Sequence, residues 1–412
     1  MSNKKVFEIA SCEVCGSKVL SSVLDLGKHP MCDDLVEVNS DRVCKEYPIE
    51  ILFCNSCLTA HQRFQVPKDE LFPKAYHYRS RFTADVLNGM KSLVSRTEEI
   101  AGSLNKKKVL DIGCNDGSLL DFFREKGAET IGIEPTDASL DAEKKGHSVY
   151  SKFLSLEVAK EIIEAHGHPD FISFTNVFAH IEDLTSVIEA LRYLAAPDTI
   201  FIIENHYLGA VLEGDQFDTF YHEHPRTYSL TSFRFIAQLL GYGIINVEFP
   251  SRYGGNIRVF IGKDNNKKAV SDTVKDTESR ESHFYQKFEL MNQRIELWKK
   301  NKKQLIQEYV EKYGPLKAKA FPGRAAILVK LLELDNHQIS GAYEKPGSMK
   351  IGHYIPGTRI PILSDFDLFN ETEKSVPILN FAWHISKEIE SYLRNNGYTG
   401  AIIDILSKDD FK

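Results

Sequence analysis

The chain has 412 residues, enough for two or three domains, because a single hydrophobic core usually stops growing well below that length. Its 42% hydrophobic and 26% charged residues are the balance of an ordinary globular protein, and no uninterrupted apolar run is long enough to span a bilayer, so no membrane partner is expected. A net charge of -7 without a long basic run gives little attraction to nucleic-acid phosphates, and Met1 to Phe7 lacks a signal-peptide core, which together point to a cytoplasmic protein that does not act on RNA or DNA.

The first motif is a pair of pairs: Cys12-Glu13-Val14-Cys15 and, after 38 intervening residues, Cys54-Asn55-Ser56-Cys57. Each C-x-x-C turn aims two thiolates at one ion, so Cys12, Cys15, Cys54 and Cys57 read as a closed tetrahedral zinc site that helps a small lobe fold. Cys32 and Cys44 lack that spacing and read as free thiols. The following stretch, Leu71 to Phe82, is dense in aromatics, hydroxyls and guanidinium groups and reads as a surface loop, with a long helix after it over 82–101.

From Lys108 to about Lys263 strands alternate with helices: strand 108–112, helix 118–126, strand 130–134, helix 139–145, strand 171–176, helix 184–194, strand 199–204. That alternation predicts a parallel sheet covered by helices on both faces. Val109 to Leu120 is strand, tight loop and helix, with Gly113 and Gly117 permitting a sharp turn and Asn115 tolerating a left-handed conformation. The spacing is not G-x-G-x-x-G and no P-loop lysine is present, so a dinucleotide or ATP is disfavoured. In open α/β sheets the ligand lies beyond the carboxyl ends of the strands, which places Asp111, Gly113, Cys114, Asn115, Gly117, Glu134 and Asn176 at a cofactor site. Glu134 ends the second strand, where a carboxylate accepts hydrogen bonds from both ribose hydroxyls of a nucleoside.

Gln216-Phe217-Asp218-Thr219-Phe220-Tyr221-His222-Glu223-His224-Pro225 is the densest polar cluster in the chain. An H-x-H pair without a third partner is a poor zinc site, and acid–base work is the better reading of four consecutive proton-handling side chains ahead of a proline. The paired Gly254 and Gly255 enter a strand and permit a ligand or another backbone to approach closely. Between Glu281 and Tyr313, Phe284, Phe288, Met291, Ile295 and Trp298 form an apolar stripe on one helix face, expected to pack between domains or subunits. Lys317 to Leu406 reads as another α/β unit, with a helix over 325–334, a turn-rich passage over 351–362 and a final strand over 401–406. Its first turn, Phe321-Pro322-Gly323-Arg324, holds a single glycine, so no second nucleotide is assigned there.

The two C-x-x-C pairs, Asp111 to Gly117, Asn176-Val177-Phe178-Ala179-His180, Gln216 to His224 and Tyr354-Ile355-Pro356-Gly357-Thr358-Arg359-Ile360-Pro361 together resemble the sugar C-methyltransferases, three-domain enzymes that methylate nucleotide-linked keto-deoxysugars. The resemblance runs through essentially the whole chain in the same order. It implies an α/β protein with an N-terminal zinc-binding lobe (1–75), a central class I, Rossmann-like S-adenosylmethionine domain (76–263), and a helical connection with a C-terminal Rossmann-like domain (264–412). It implies His224 as the catalytic base, with Tyr221 and Glu223 beside it. His180, His222 and Asn176 join the sugar site, and either Tyr76 or Tyr78 is contributed by the loop after the zinc lobe. The partner implied is a nucleotide-linked keto-sugar, and the expected assembly is a monomer or weak homo-oligomer. The chain departs from the family at Tyr253 and Asn256, where many members carry histidine and serine around the Gly-Gly pair, and at the eroded turn 321–324. The competing readings are a zinc-containing methyltransferase with RNA or protein as acceptor, and a non-catalytic scaffold that keeps the cofactor fold.

Overall fold

In the computed structural model the described residues are 6–71, 79–82, 84–263 and 271–411. The central sheet has seven strands, named here β1 (Lys108–Ile112), β2 (Glu129–Ile133), β3 (Ser148–Tyr150), β4 (Phe171–Thr175), β5 (Ile200–His206), β6 (Gly243–Glu248) and β7 (Asn256–Gly262), in the order β6-β7-β5-β4-β1-β2-β3. β1 to β5 are parallel, as the alternation with helices predicts. Their apolar residues, including Val109, Leu110, Ile131, Ile172, Phe174, Phe201 and Ile203, are buried from both sides. β7 instead runs antiparallel to β5 and to β6. Only residues 249–255 join β6 to β7, too few for the crossover that a parallel pair requires, so the chain turns back on itself. Between β2 and β4 the chain adds β3 and the helix Leu156–His166, neither of them among the expected elements; the Ser155 cap of that helix accepts from Val158 N–H.

The N-terminal lobe is a four-stranded sheet in which Ser21–Pro30, Glu46–Cys54 and Thr59–Gln62 are joined at the edge by Arg226–Thr227, a strand that follows β5 in the chain. The C-terminal unit is a five-stranded all-parallel sheet of Leu316–Lys319, Ile339–Glu344, Ile362–Ser364, Ile378–Asn380 and Ile402–Asp404, ordered third, second, first, fourth, fifth. The zinc lobe reaches this unit as well, through an antiparallel pairing of Val36–Glu37 with His353–Tyr354 inside the turn-rich passage.

The three parts meet on the helix Phe284–Tyr313. All five residues of its predicted stripe are buried. Phe288 lies 5.5 Å (ring centroids) from Phe53 of the zinc lobe and 5.9 Å from Phe220 of the polar loop, while Trp298 lies 5.1 Å from Phe217 and donates its indole N–H to Ile405 O at 2.9 Å. The stripe therefore packs between domains. Trp298→Ala removes a fully buried indole at that junction and is expected to cost about 3–5 kcal/mol, read as a fall in the denaturant midpoint. No helix among the described residues is long and apolar enough to cross a membrane.

Candidate active site

The cofactor turn follows β1 directly. Gly113 (φ 75°), Asn115 (φ 50°) and Gly117 (φ 74°) all take left-handed backbone, and Gly113 N–H donates to Ile133 O at 2.7 Å, which locks the turn to the end of β2. A Cβ on Gly113 would stand 2.5 Å from Val177, so the position is closed to side chains by conformation and by space. Gly113→Ala is accordingly expected to weaken S-adenosylmethionine binding about tenfold or more in a direct titration, since strained backbone of this kind costs about 1–3 kcal/mol.

Glu134 stands at the end of β2. One carboxylate oxygen accepts from Asn115 N–H at 3.0 Å, and the other from Thr136 N–H and hydroxyl at 2.9 and 2.7 Å, so the side chain is aimed at the turn while each oxygen keeps further acceptor capacity. Burial pushes the Asp111 carboxyl up to about 7, aided by the Glu134 charge and opposed by the Ser173 hydroxyl, which donates to it at 2.7 Å. Cys114 packs inward against Gly132, so its small side chain serves the close approach of β2. Over this turn comes the short segment 79–82: Ser80 N–H donates to Asn115 Oδ1 and Arg81 N–H to Asp116 Oδ2, both at 3.0 Å. Tyr76 and Tyr78 lie outside the described residues.

At the carboxyl ends of β4 and β5 the polar groups change character. Asn176 (φ 56°) follows β4 and accepts from Asn256 Nδ2 at 3.3 Å; Asn256 in turn donates to Glu204 at 3.0 Å. The buried Thr175 Oγ1 and Asn256 Oδ1 have no hydrogen-bond partner among the described residues, which suits a cofactor or acceptor arriving at this edge. The Gly254-Gly255 pair does not face this edge: a Cβ at Gly254 would meet Gln216 Oε1 at 2.2 Å and one at Gly255 would meet Ala210 Cβ at 2.4 Å, so the close approach is made by the protein itself.

The polar loop 216–225 is buried nearly throughout and held from three sides. Phe217 and Phe220 anchor it on the long helix. Gln62 N–H donates to Pro225 O at 2.8 Å, and His222 Nε2 donates to Tyr47 O at 3.1 Å, both from or to the zinc lobe. From the C-terminal domain, Arg324 grips the Asp218 carboxylate with two hydrogen bonds of 2.7 and 2.6 Å, and Trp383 Nε1 donates to the same group at 2.9 Å. The turn 321–324 is thus shaped for contact with this loop and the zinc lobe: a Cβ on Gly323 would already stand 3.2 Å from Asp33 Oδ1.

The clamped loop presents His224 to a cluster of imidazoles. The His224 ring lies 4.7 Å from His180, 5.5 Å from His206 and 4.2 Å from the Tyr221 ring (centroids). His224 Nδ1–H donates to Thr219 O at 3.1 Å, which fixes the tautomer and leaves Nε2 as the basic nitrogen. Burial, then the neighbouring His180 and His206, hold its proton affinity well below that of an ordinary imidazole. Burial likewise lowers His180 to about 4 and His206 to about 3, so the cluster is neutral at neutral pH. His180 Nδ1–H donates to Glu223 O at 2.7 Å. Burial raises the Glu223 carboxyl above the ordinary glutamate range, with the Asp33 charge adding to the rise and Lys350 opposing it.

The structure therefore brings Tyr221, His224 and His180 together near Asn176, ties the Glu223 main chain to His180 while its carboxyl has Asp33 and Lys350 as charged neighbours, and turns His222 away toward Tyr47. His206 and His384 carry no signal in a linear reading, because each is a lone residue whose neighbours come from another element, and the pairing of Asp218 with Arg324 and Trp383 is equally invisible there; burial lowers His384, which faces Arg324 and Asp218, to about 4.

The four paired cysteines converge. Their sulfurs all lie within 4.8 Å of one another, with Cys12–Cys57 at 3.3 Å and Cys15–Cys54 at 3.5 Å. Those separations are too long for a disulfide and close to the edge of about 3.8 Å that four thiolates around one zinc at about 2.3 Å would make. The donor set fits structural zinc. Cys32 and Cys44 are buried free thiols elsewhere.

Three family models match in series: a candidate zinc binding domain over residues 12–72, a methyltransferase domain over 80–247 and a C-methyltransferase C-terminal domain over 251–403. The chain is 26% identical over 404 residues to the C-methyltransferase NovU of Streptomyces niveus, covering 94% of each. It is 30% identical over 105 residues to a ubiquinone biosynthesis O-methyltransferase of Acinetobacter baylyi, a match that spans 24% of this chain and less than half, 44%, of that relative. Among solved structures it is similar to magnesium protoporphyrin IX methyltransferase of Synechocystis with bound S-adenosylhomocysteine (19% identity, 43% of this chain and 83% of that one, TM-score 0.34). It is also similar to the PH0226 protein of Pyrococcus horikoshii (14% identity, 48% and 98%, TM-score 0.36).

Proposed function

Because the chain belongs to the sugar C-methyltransferase family and is an S-adenosylmethionine-dependent methyltransferase with a structural zinc site, we propose that it methylates a carbon next to the ketone of a nucleotide-linked keto-deoxysugar, through an enolate. The observation that carries this reading is the state of His224: neutral, with Nδ1–H pinned to Thr219 O and Nε2 basic, at the junction of three domains.

S-adenosylmethionine supplies an electrophilic methyl group, and an ordinary sugar carbon has no lone pair with which to attack it. A carbon next to a ketone acquires one when its proton is removed. His224 Nε2 takes that proton, and a positioned base of this kind contributes about 10²- to 10⁴-fold. Tyr221, packed against the His224 ring, donates a hydrogen bond to the ketone oxygen as negative charge develops on it. Glu223 and His180 hold sugar hydroxyls, and Asn176 and Asn256 line the edge between sugar and cofactor. Tyr76 or Tyr78, outside the described residues, is the further contributor to the sugar site that the family resemblance implies. The Arg324–Asp218 clamp keeps the C-terminal domain closed on the loop, which excludes water from the enolate. The Asp111 to Gly117 turn, with Cys114, Asn115 and Glu134, holds the cofactor.

The test is incubation with S-adenosylmethionine and a panel of nucleotide-linked 3-keto and 4-keto sugars. The expected result is a product one methylene heavier, with solvent deuterium exchanging into the acceptor carbon. Methylation on oxygen, or no exchange at a carbon that is methylated, would sink the enolate reading.

A further inference from the structure

Two residues beyond His224 the chain enters the strand that joins the zinc-lobe sheet, where Arg226 is paired with His61. Arg226 is fully buried, and its guanidinium has three destinations. Nη1 lies 2.7 Å from Glu13 Oε2, and Glu13 sits between the first two zinc cysteines. Nε donates to Tyr228 Oη at 3.1 Å. Nη1 and Nη2 reach Glu182 O at 3.5 and 3.4 Å, two residues past His180. Glu13 is held in turn by Gln65 Nε2 at 2.8 Å, and it faces His61 Nδ1 at 3.5 Å, whose Nε2 is 3.3 Å from Cys12 Sγ.

One side chain thus touches the metal knuckle, the turn carrying His180 and the strand that continues from His224. A buried guanidinium is costly to keep unless every donor is placed, and its value over an apolar residue lies in the fixed geometry of a planar fork. We propose that Arg226, gripped by Glu13, is a positioning residue that holds the His224 imidazole in register with His180, so that the zinc knuckle sets the turnover rate without touching either reactant. The proposal rests on the reading of His224 as the base.

Arg226→Lys keeps the charge and removes the fork; Glu13→Gln keeps the shape and removes the charge. With zinc content and S-adenosylmethionine affinity measured alongside, both variants are expected to lose about 10- to 100-fold in kcat with little change in the acceptor KM, the range seen when groups behind a metal ligand are removed. The loss should vanish when the same changes are made in a His224→Asn background, because a residue acting through His224 has nothing left to position. A structural role would lower both backgrounds alike. Histidine-selective ¹⁵N NMR of the enzyme with S-adenosylmethionine alone gives a readout independent of the acceptor, with the His224 imidazole resonances moving in both variants. Unchanged resonances, equal losses in the two backgrounds, or activity that falls only in step with zinc would overturn the proposal. If His224→Asn itself keeps wild-type turnover, the base reading falls and the resonances alone decide whether Arg226 positions the ring.

Discussion

His224→Asn is expected to bind S-adenosylmethionine with near wild-type affinity and to turn over about 10²- to 10⁴-fold more slowly. The two halves of that expectation come from different elements. The cofactor turn is fixed by Gly113 N–H to Ile133 O and by Asn115 N–H to Glu134, all within β1, β2 and their loops, so nothing at position 224 supports it. Asparagine keeps a donor for Thr219 O and so preserves the loop, but it has no basic nitrogen. The pH profile carries a second check. Burial and the facing His180 and His206 place the His224 proton affinity well below the ordinary value near 6.5, so the base remains unprotonated as pH falls through that value. Wild-type kcat should therefore hold down to below pH 6.5, where an exposed imidazole base would already have lost about half its activity. His180 and His206, lowered to about 4 and about 3 for the same reason, add no positive charge in that range. Wild-type turnover by the variant, or an acid limb centred at an ordinary imidazole value, would remove His224 from the role.

What the sequence disclosed follows the range of the interactions involved. The strand-turn-helix from Val109 to Leu120, the helix stripe from Phe284 to Trp298 and the C-x-x-C turns are each set by neighbours a few residues away, and each reads correctly from spacing. Glu134 is legible because a strand end has a fixed relation to the turn beside it. The Asp218–Arg324 ion pair joins residues 106 positions apart, and although each lies in a segment that stands out locally, nothing in either segment names the other as its partner. The glycine-poor turn 321–324 looked like a worn nucleotide motif because the sequence does not show Arg324 turned outward onto the loop of another domain. His222 and His224 are the sharpest case. They are two residues apart with the same chemistry on paper, and only the tertiary fold sends one to Tyr47 in the zinc lobe and the other to the imidazole cluster.

Cys54→Ser is expected to yield protein with almost no bound zinc, a lower unfolding temperature and turnover reduced by about 10²-fold or more, while the central domain still binds S-adenosylmethionine. Folding free energy in such lobes is largely metal-binding free energy, about 10–16 kcal/mol for structural zinc in isolated zinc-finger peptides, and a serine hydroxyl neither ionises near neutral pH nor suits zinc as thiolate does. Cys54 is the last residue of the strand Glu46–Cys54, and the lobe sheet built on that strand carries Thr59–Gln62 and Arg226–Thr227. Loosening that sheet releases Gln62 from Pro225 O and Tyr47 from His222, two of the ties that hold the loop bearing His224. The ties from Arg324 and Trp383 act at the other end, on Asp218 and Thr219, so they keep the acceptor of the His224 N–H in place but leave residues 222–225 to the zinc lobe. Zinc analysis, thermal unfolding, cofactor titration and turnover on one preparation separate these effects. A stable, zinc-free Cys54→Ser variant with full activity would show that the lobe folds and holds the loop without its metal.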